Sequence, residues 1–308
     1  MTLAPARDPY AFSPVFLLAT PRSYSSVVCT MVGQHPECVG FPELKLFAYD
    51  TIHELEQSLP RFWSDRGITH RSPGLVRAIA HFEFGDQGPD GLLAARAWLR
   101  QRSHWSGADV FDALLRRASP RTAVEKSPEN VSNNTSLERL AATYPNARYL
   151  HLTRHPITTQ RSMEAHLNRT VPGITLPDQP MLGVATWLET QCWILRFGAV
   201  LPPERYLRVK GEDVLNHSRQ QLRDIASWIG VRTDEEAIEA MTHPERAPFA
   251  NFGALETGIV GGNDHGFLHD PILRPAAPPP PLKVPDDWVG HASLWEMTVE
   301  IAGRLGYS

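Results

Sequence analysis

Cysteine is scarce in this 308-residue sequence: Cys29, Cys38 and Cys192 are all it has. The odd count, with two of the three in apolar runs, argues against a disulfide framework and for buried free thiols in a reducing compartment. Long apolar runs are missing too. Phe16 to Ala19 is broken at once by Thr20-Pro21, and no segment approaches the roughly 20 apolar residues of a membrane span. No basic stretch precedes a signal-length apolar core, so a cytoplasmic location is expected. Excess positive charge is likewise lacking. Thirty Lys and Arg against 34 Asp and Glu leave a net charge of −4, which offers no field for nucleic acid or an anionic membrane. The 13 histidines are scattered, none paired at zinc-ligand spacing beside cysteines, so no metal is expected.

What the chain does have is enough apolar content, 42%, for one large α/β domain or a domain with a lid. The most informative stretch is Val15 to Phe47. Val15 to Ala19 has no polar face, as a strand buried on both sides of a parallel sheet requires. Thr20-Pro21-Arg22-Ser23-Tyr24-Ser25-Ser26 follows, and then Val27, Val28, Met31 and Val32 recur at helical spacing up to His35-Pro36. A strand, a hydroxyl-rich turn and a helix point backbone N–H groups at an anion, and Arg22 adds a forked cationic donor. The turn lacks the glycines and lysine of the G-x-x-x-x-G-K-[ST] phosphate loop. Alone, it reads nearly as well as an ordinary turn with Ser25 or Ser26 capping the helix.

Further strands are expected at Arg121–Glu125, Arg148–Thr153 and Tyr206–Lys210, alternating with helical patterns. Helices are expected over most of Glu43–Leu59, over Leu75–Phe82, Leu92–Arg102, Val110–Ala118 and Leu137–Tyr144, and from about Thr158 to Leu167. Met181–Val200, a segment bearing Leu222, Ile225 and Ile229, and Trp288–Leu305 complete the set. Thr170–Pro180 is long for a connection and suits a lid or substrate loop. The expected architecture is a single α/β domain over 1–308, with a central, mainly parallel sheet flanked by helices in three layers. Insertions fall at about 44–118 and 170–200, and a Pro-rich irregular segment at about 244–285 includes the run Pro275–Pro281.

Three groups of residues carry candidate chemistry. The turn at Thr20–Ser26 is the first. Arg154, ending a strand, and Ser162, on the helix behind it, are the second, able to converge on one phosphate. Glu43, after the apolar Gly40-Phe41-Pro42, and Lys126, in Val124-Glu125-Lys126-Ser127-Pro128, are the third. An apolar wall raises a carboxylate towards the range of a general base, and a lysine stabilises charge developing on a departing oxygen. Singly, each group is as well explained by a solvated charge or a capped turn.

Together, "FLLATPRSYSS…GQHPECVGFPELKLF", "VEKSP" and "RYLHLTRHPITTQRSMEAH" resemble the sulfotransferase superfamily that uses 3′-phosphoadenosine 5′-phosphosulfate (PAPS). Protein-tyrosine sulfotransferases and bacterial polyketide-pathway sulfotransferases of secondary metabolism look nearest in motif. The resemblance covers residues 14–47, 121–168 and 205–230, and implies a P-loop-like fold. It places Arg22, Ser23, Tyr24, Ser25 and Ser26 on the loop holding the 5′-phosphosulfate, and Arg154 and Ser162 on the 3′-phosphate site. It makes Glu43 the base and directs Lys126, with Arg22, to the sulfuryl group, with PAP as product and no metal. Two departures stand out: Tyr24 where the family usually has glycine, and Gly211-Glu212-Asp213-Val214 where it often has Tyr-Glu-Asp-Leu. Tyr24 therefore implies either a loop without positive φ or strain, and both departures bear on cofactor affinity. His265 and His269 are alternative bases.

The implied acceptor is a hydroxyl on a small natural product, a carrier-bound hydroxyacyl chain or a phenol, and a homodimer is left open. Trp63, Trp98, Trp105 and Phe82 suit an apolar acceptor or, equally, a core. A nucleotide-dependent kinase and a catalytically silent PAPS- or PAP-binding protein are the competing readings.

Overall fold

The computed structural model describes residues 2–58, 63–64, 67–68, 72–170, 179–283 and 292–308. Its strands are β1 (Val15–Leu18), β2 (Cys38–Gly40), β3 (Trp63–Ser64), β4 (Gly67–Ile68), β5 (Thr122–Glu125), β6 (Arg148–Thr153) and β7 (Tyr206–Lys210). β3 and β4 form a small antiparallel pair. The other five make one parallel sheet in the order β2-β5-β1-β6-β7, with Val15 of β1 opposite both Val124 and Arg148. The apolar β1 thus sits in the middle, buried on both faces.

Alternation along β1 sends side chains to two separate cores. Phe16 and Leu18 belong to the larger one, Val15, Leu17 and Ala19 to the other. The helices in chain order are α1 (Ser25–Gly33), α2 (Ile52–Ser58), α3 (Pro73–Phe84), α4 (Pro89–Gln101), α5 (Gly107–Ala118) and α6 (Asn134–Thr143). They continue with α7 (Pro156–Thr170), α8 (Gln179–Gly198), α9 (Gly211–Asn216), α10 (Ser218–Ile229), α11 (Glu235–Met241), α12 (His265–His269) and α13 (Ala292–Arg304). α2 to α6 supply Leu55, Leu75, Leu92, Phe111 and Leu137 to the larger core, while α1 and α9 to α11 supply Val28, Val214, Leu222 and Ile238 to the second. The result is the expected three-layer α/β fold. Among the described residues no helix is long and apolar enough to cross a membrane.

Besides α12, a short helix in the segment expected to be irregular, and the β3–β4 pair, three details differ from the sequence expectation. β2 is a strand that the pattern does not announce. It has three residues, and α1 presses so closely on it that a Cβ on Gly33 would overlap the Gly40 backbone. The helix expected over Glu43–Leu59 is confined to Ile52–Ser58. Residues 43–47 run as a buried irregular segment, whose Leu44, Leu46 and Phe47 enter the core and whose Phe47 ring meets Phe16 edge-on at 5.5 Å. A Cβ on Gly74 or Gly107 would overlap the Glu43 or Leu46 carbonyl oxygen, so two helix starts occupy the space a helix there would need. The third is α11, an unexpected short helix started by the Asp234 carboxylate on the Ala237 N–H. The Thr170–Pro180 loop and the start of Trp288–Leu305 lie partly outside the described residues, and of Trp63 only the backbone, in β3, is described.

Candidate active site

In a parallel sheet, ligands bind beyond the carboxyl ends of the strands, where neighbouring connections diverge. Here β5, β1 and β6 are adjacent, so the segments leaving them lie side by side although they are far apart in sequence. β1 delivers Arg22 to Ser26, β5 delivers Lys126 and β6 delivers Arg154.

The β1 turn is strained. Arg22 and Tyr24 have φ of 70° and 62°, and Lys45 has 61°; these are the non-glycine residues with positive φ among those described. Strain of this kind gathers where surrounding contacts over-determine the backbone, commonly at functional sites. Tyr24 therefore takes the positive φ that the resemblance associates with glycine. It stands as the residue before α1, which no side chain caps, so neither Ser25 nor Ser26 fills the capping role. Instead the Ser26 hydroxyl accepts from Lys126 Nζ at 3.0 Å and from the Asp264 N–H at 3.1 Å.

Arg154 meets this turn from the other side. Its Nη1 donates to the Arg22 carbonyl at 2.6 Å, and its guanidinium lies 4.2 Å from the centre of the Tyr24 ring. Arg22 Nε donates to Ser162 Oγ at 3.3 Å. The two arginines and Ser162 converge as one cluster.

Lys126 is 3% exposed and donates to Glu43 Oε1 at 2.5 Å. The apolar-wall argument alone predicts a raised Glu43 pKa. Burial does push the carboxyl up, but Lys126, Lys45 and Arg22 outweigh it and hold Glu43 below the ordinary carboxylate range. The expected upward shift is thus reversed by Lys126, already grouped with Glu43 from the sequence, together with Lys45 and Arg22. Burial, then Arg169 and Arg154, lower the Arg22 guanidinium to about 10, which still leaves it charged at neutral pH.

The sequence expectation brought together Arg22, Tyr24, Ser26, Glu43, Lys126, Arg154 and Ser162, and the fold unites all of them. Ser23 and Ser25 are buried within the same turn. His265 lies close enough to Glu43 and Arg22 for their charges to act on its ring, whereas His269 packs on Phe252 at 4.8 Å. Trp105 and Phe82 belong to the core or pack against it, as does Trp98.

Sequence reasoning missed three contributors. Asp264 pairs with Arg22. Glu125, fully buried, binds Ser127 Oγ and Asn130 Nδ2 beside Lys126. Glu212 accepts the His155 N–H at 2.9 Å and the Tyr307 hydroxyl at 3.1 Å, bracing the Arg154 turn. The acid preceding Lys126 and the acid following Gly211 were visible as letters, but only the fold shows what they hold.

The cluster suits a polyanion. Arg22, Arg154 and Lys126 supply positive charge, and Ser23 Oγ is buried without a hydrogen-bond partner among the described residues, which leaves a donor free for a ligand oxygen. Among the described residues no group of three or more His, Cys, Asp or Glu side chains is placed to hold a metal ion.

A family model described as "Sulfotransferase family" matches residues 14–235. Among solved structures, the sulfotransferase domain from the curacin biosynthetic pathway is 23% identical, with TM-score 0.77, covering 97% of this chain and 99% of that one. The sulfotransferase domain from the Synechococcus PCC 7002 olefin synthase is 24% identical, with TM-score 0.75, covering 100% and 99%. Sulfotransferase STF9 from Mycobacterium avium is 14% identical, with TM-score 0.55, covering 96% and 78%. None of the curated proteins compared with the chain matches it.

Proposed function

Because the chain belongs to the sulfotransferase family, we propose that it transfers a sulfuryl group from PAPS to a hydroxyl acceptor, releasing PAP. One observation carries this reading. Glu43 and Lys126, 2.5 Å apart, lie next to the Arg22–Arg154–Ser162 cluster beyond the carboxyl ends of the central strands, so a base and a polyanion site adjoin. The bound donor supplies an activated sulfuryl group.

The chain's own residues do the rest. Ser23, Ser25, Ser26 and Arg22 cradle the 5′ end of the nucleotide, and Arg154 with Ser162 hold its 3′-phosphate. Glu43, kept ionised by its neighbouring cations, accepts the hydroxyl proton as the acceptor oxygen bonds to sulfur. Lys126 and Arg22 stabilise the negative charge left on the departing phosphate oxygen as the old S–O bond breaks. Correct alignment of acceptor and donor provides much of the remaining acceleration. In this reading Arg22 contributes to both tasks, since it donates to Ser162 Oγ and its charge reaches Glu43.

The motif resemblance to polyketide-pathway sulfotransferases makes carrier-bound hydroxyacyl chains the first acceptors to test. Small natural-product alcohols, phenols and peptide tyrosines follow. The decisive experiment incubates the chain with sulfur-labelled PAPS and this panel. Label should pass to one class in the wild type and fall at least about 100-fold in Glu43→Gln, whose affinity for PAP stays within about twofold. A Glu43→Gln variant that transfers at the wild-type rate moves the base elsewhere, and stabilisation by ATP but not by PAP in a thermal-shift comparison supports a kinase instead.

A further inference from the structure

Glu125 has no place in the transfer chemistry, yet it is the most completely surrounded carboxylate next to the site. It is 1% exposed. Its Oε1 accepts from Ser127 Oγ at 2.5 Å and its Oε2 from Asn130 Nδ2 at 2.7 Å. The Leu44 backbone N–H donates to it as well. Ser127 passes the connection on, because its Oγ also accepts the Lys45 N–H at 2.9 Å. One carboxylate therefore joins two segments more than 80 positions apart in sequence: the backbone just after Glu43 and the turn just after Lys126.

The backbone at that junction needs holding. Lys45 has φ of 61°, a conformation that costs a non-glycine residue free energy unless contacts impose it. Residues 43 to 45 have no helix or strand to satisfy their N–H groups. Glu43 donates instead to the Gly262 carbonyl at 2.7 Å, Leu44 to Glu125 and Lys45 to Ser127. Two of the three donors thus depend on Glu125, directly or through Ser127. The Lys45 side chain reaches Glu129 Oε1 at 2.8 Å on the turn after β5, which pulls the same two segments together from the outside.

We infer that Glu125 is a positioning residue whose buried carboxylate sets the Glu43–Lys126 pair by clamping the Leu44–Lys45 backbone to the Ser127–Asn130 turn. The functional consequence rests on the proposal that Glu43 and Lys126 carry out the transfer. The clamp itself is a structural statement that is tested separately.

Glu125→Gln puts an amide N–H₂ where donors already point. Ser127→Ala removes the relay without opening a large cavity, and serves as the second variant should Glu125→Gln fail to fold. Amide hydrogen exchange reads the clamp directly. In the variants Leu44 and Lys45 should exchange about tenfold faster or more, while amides of β1 keep their protection. With the acceptor identified by the label-transfer panel, kcat should fall about 10- to 100-fold, the effect of a small misplacement of the base, with the PAP Kd within about twofold.

Unchanged exchange at Leu44 and Lys45 in both variants overturns the clamp. Faster exchange with unchanged kcat overturns its role in positioning the pair. If instead Glu43→Gln transfers at the full rate, the base assignment fails, and the exchange result still decides whether Glu125 holds this backbone.

Discussion

Glu43 and Glu125 lie on adjoining segments and are driven in opposite directions. Lys126, Lys45 and Arg22 hold Glu43 below its ordinary range against its own burial. Glu125, whose burial outweighs Ser127, Asn130, the Leu44 N–H and Lys126, is raised to about 7. Linkage gives the signs. The lowered Glu43 adds stability that is whole above the ordinary glutamate pKa of about 4.3 and is lost as pH falls through its folded value. The raised Glu125 adds stability that is whole below about 4.3 and is lost as pH rises through about 7. Melting temperature measured against pH should therefore show Glu43→Gln flattening the acid fall below about pH 4.3. Glu125→Gln should flatten a separate decline between there and about pH 7. Lys126→Met removes the strongest cationic influence on Glu43, so its pKa rises; turnover should fall at least about 100-fold, and the acid limb of any residual pH–rate profile should move to higher pH.

Among the elements, the strands and the long helices declared themselves and the short irregular pieces did not. β1 and β6 carry their pattern in the letters, because burial on both faces favours apolar and β-branched runs, and the half-buried edge strand β7 shows through Tyr206, Leu207 and Val209. β2 has only Cys38, Val39 and Gly40, and its pairing is decided by close contact with α1, which no local pattern reports. Residues 43–47 have apolar spacing compatible with a helix. Phe16, Gly74, Gly107 and Glu125, all distant in sequence, dictate the observed path. The candidate site was legible as far as its charged letters went, and its hidden supports were not. One such support belongs to the segment after α13: the Tyr307 hydroxyl, bonded to Glu212 Oε2 at 3.1 Å and to Thr153 Oγ1 at 2.9 Å. Tyr307→Phe leaves both groups short of a partner in a buried place, at a cost of about 2 kcal/mol. Denaturant unfolding should register that loss, and titration calorimetry should show weaker PAP binding, because Glu212 braces the backbone at His155 next to Arg154.

For the whole molecule, the overall charge is negative while cations concentrate at the site, two of them paired with acids: Arg22 with Asp264 and Lys126 with Glu43. The chain carries −4, yet Arg22, Arg154 and Lys126 are gathered at one edge of the sheet, with Arg169 near enough for its charge to reach Arg22. A polyanion is drawn to that edge by a field that salt screens over about 10 Å at 0.1 M ionic strength. Calorimetric PAP affinity should therefore weaken severalfold between about 0.05 and 0.3 M salt. Arg154→Ala should weaken it further and flatten the salt dependence, by removing one of the attracting charges. The order of the strands makes this concentration of charge possible: placing β1 between β5 and β6 turns three remote residues into neighbours.

Tyr24 and Gly211 impose a direction on change. A Cβ at position 211 would come to 2.7 Å from Tyr24 Cδ2, so the ring that Arg154 stacks against occupies the room a side chain at 211 would need. Gly211→Ala introduced first meets that ring and should impair both folding and nucleotide binding. Introduced after Tyr24→Gly, it no longer meets the ring but still has the Thr153 carbonyl oxygen at 3.2 Å, so it should cost less without becoming free, with a coupling between the two of about 0.5–3 kcal/mol in a double-mutant cycle. Of the two mutational orders that exchange glycine and side chain between these positions, the one that shrinks Tyr24 first avoids the collision with its ring.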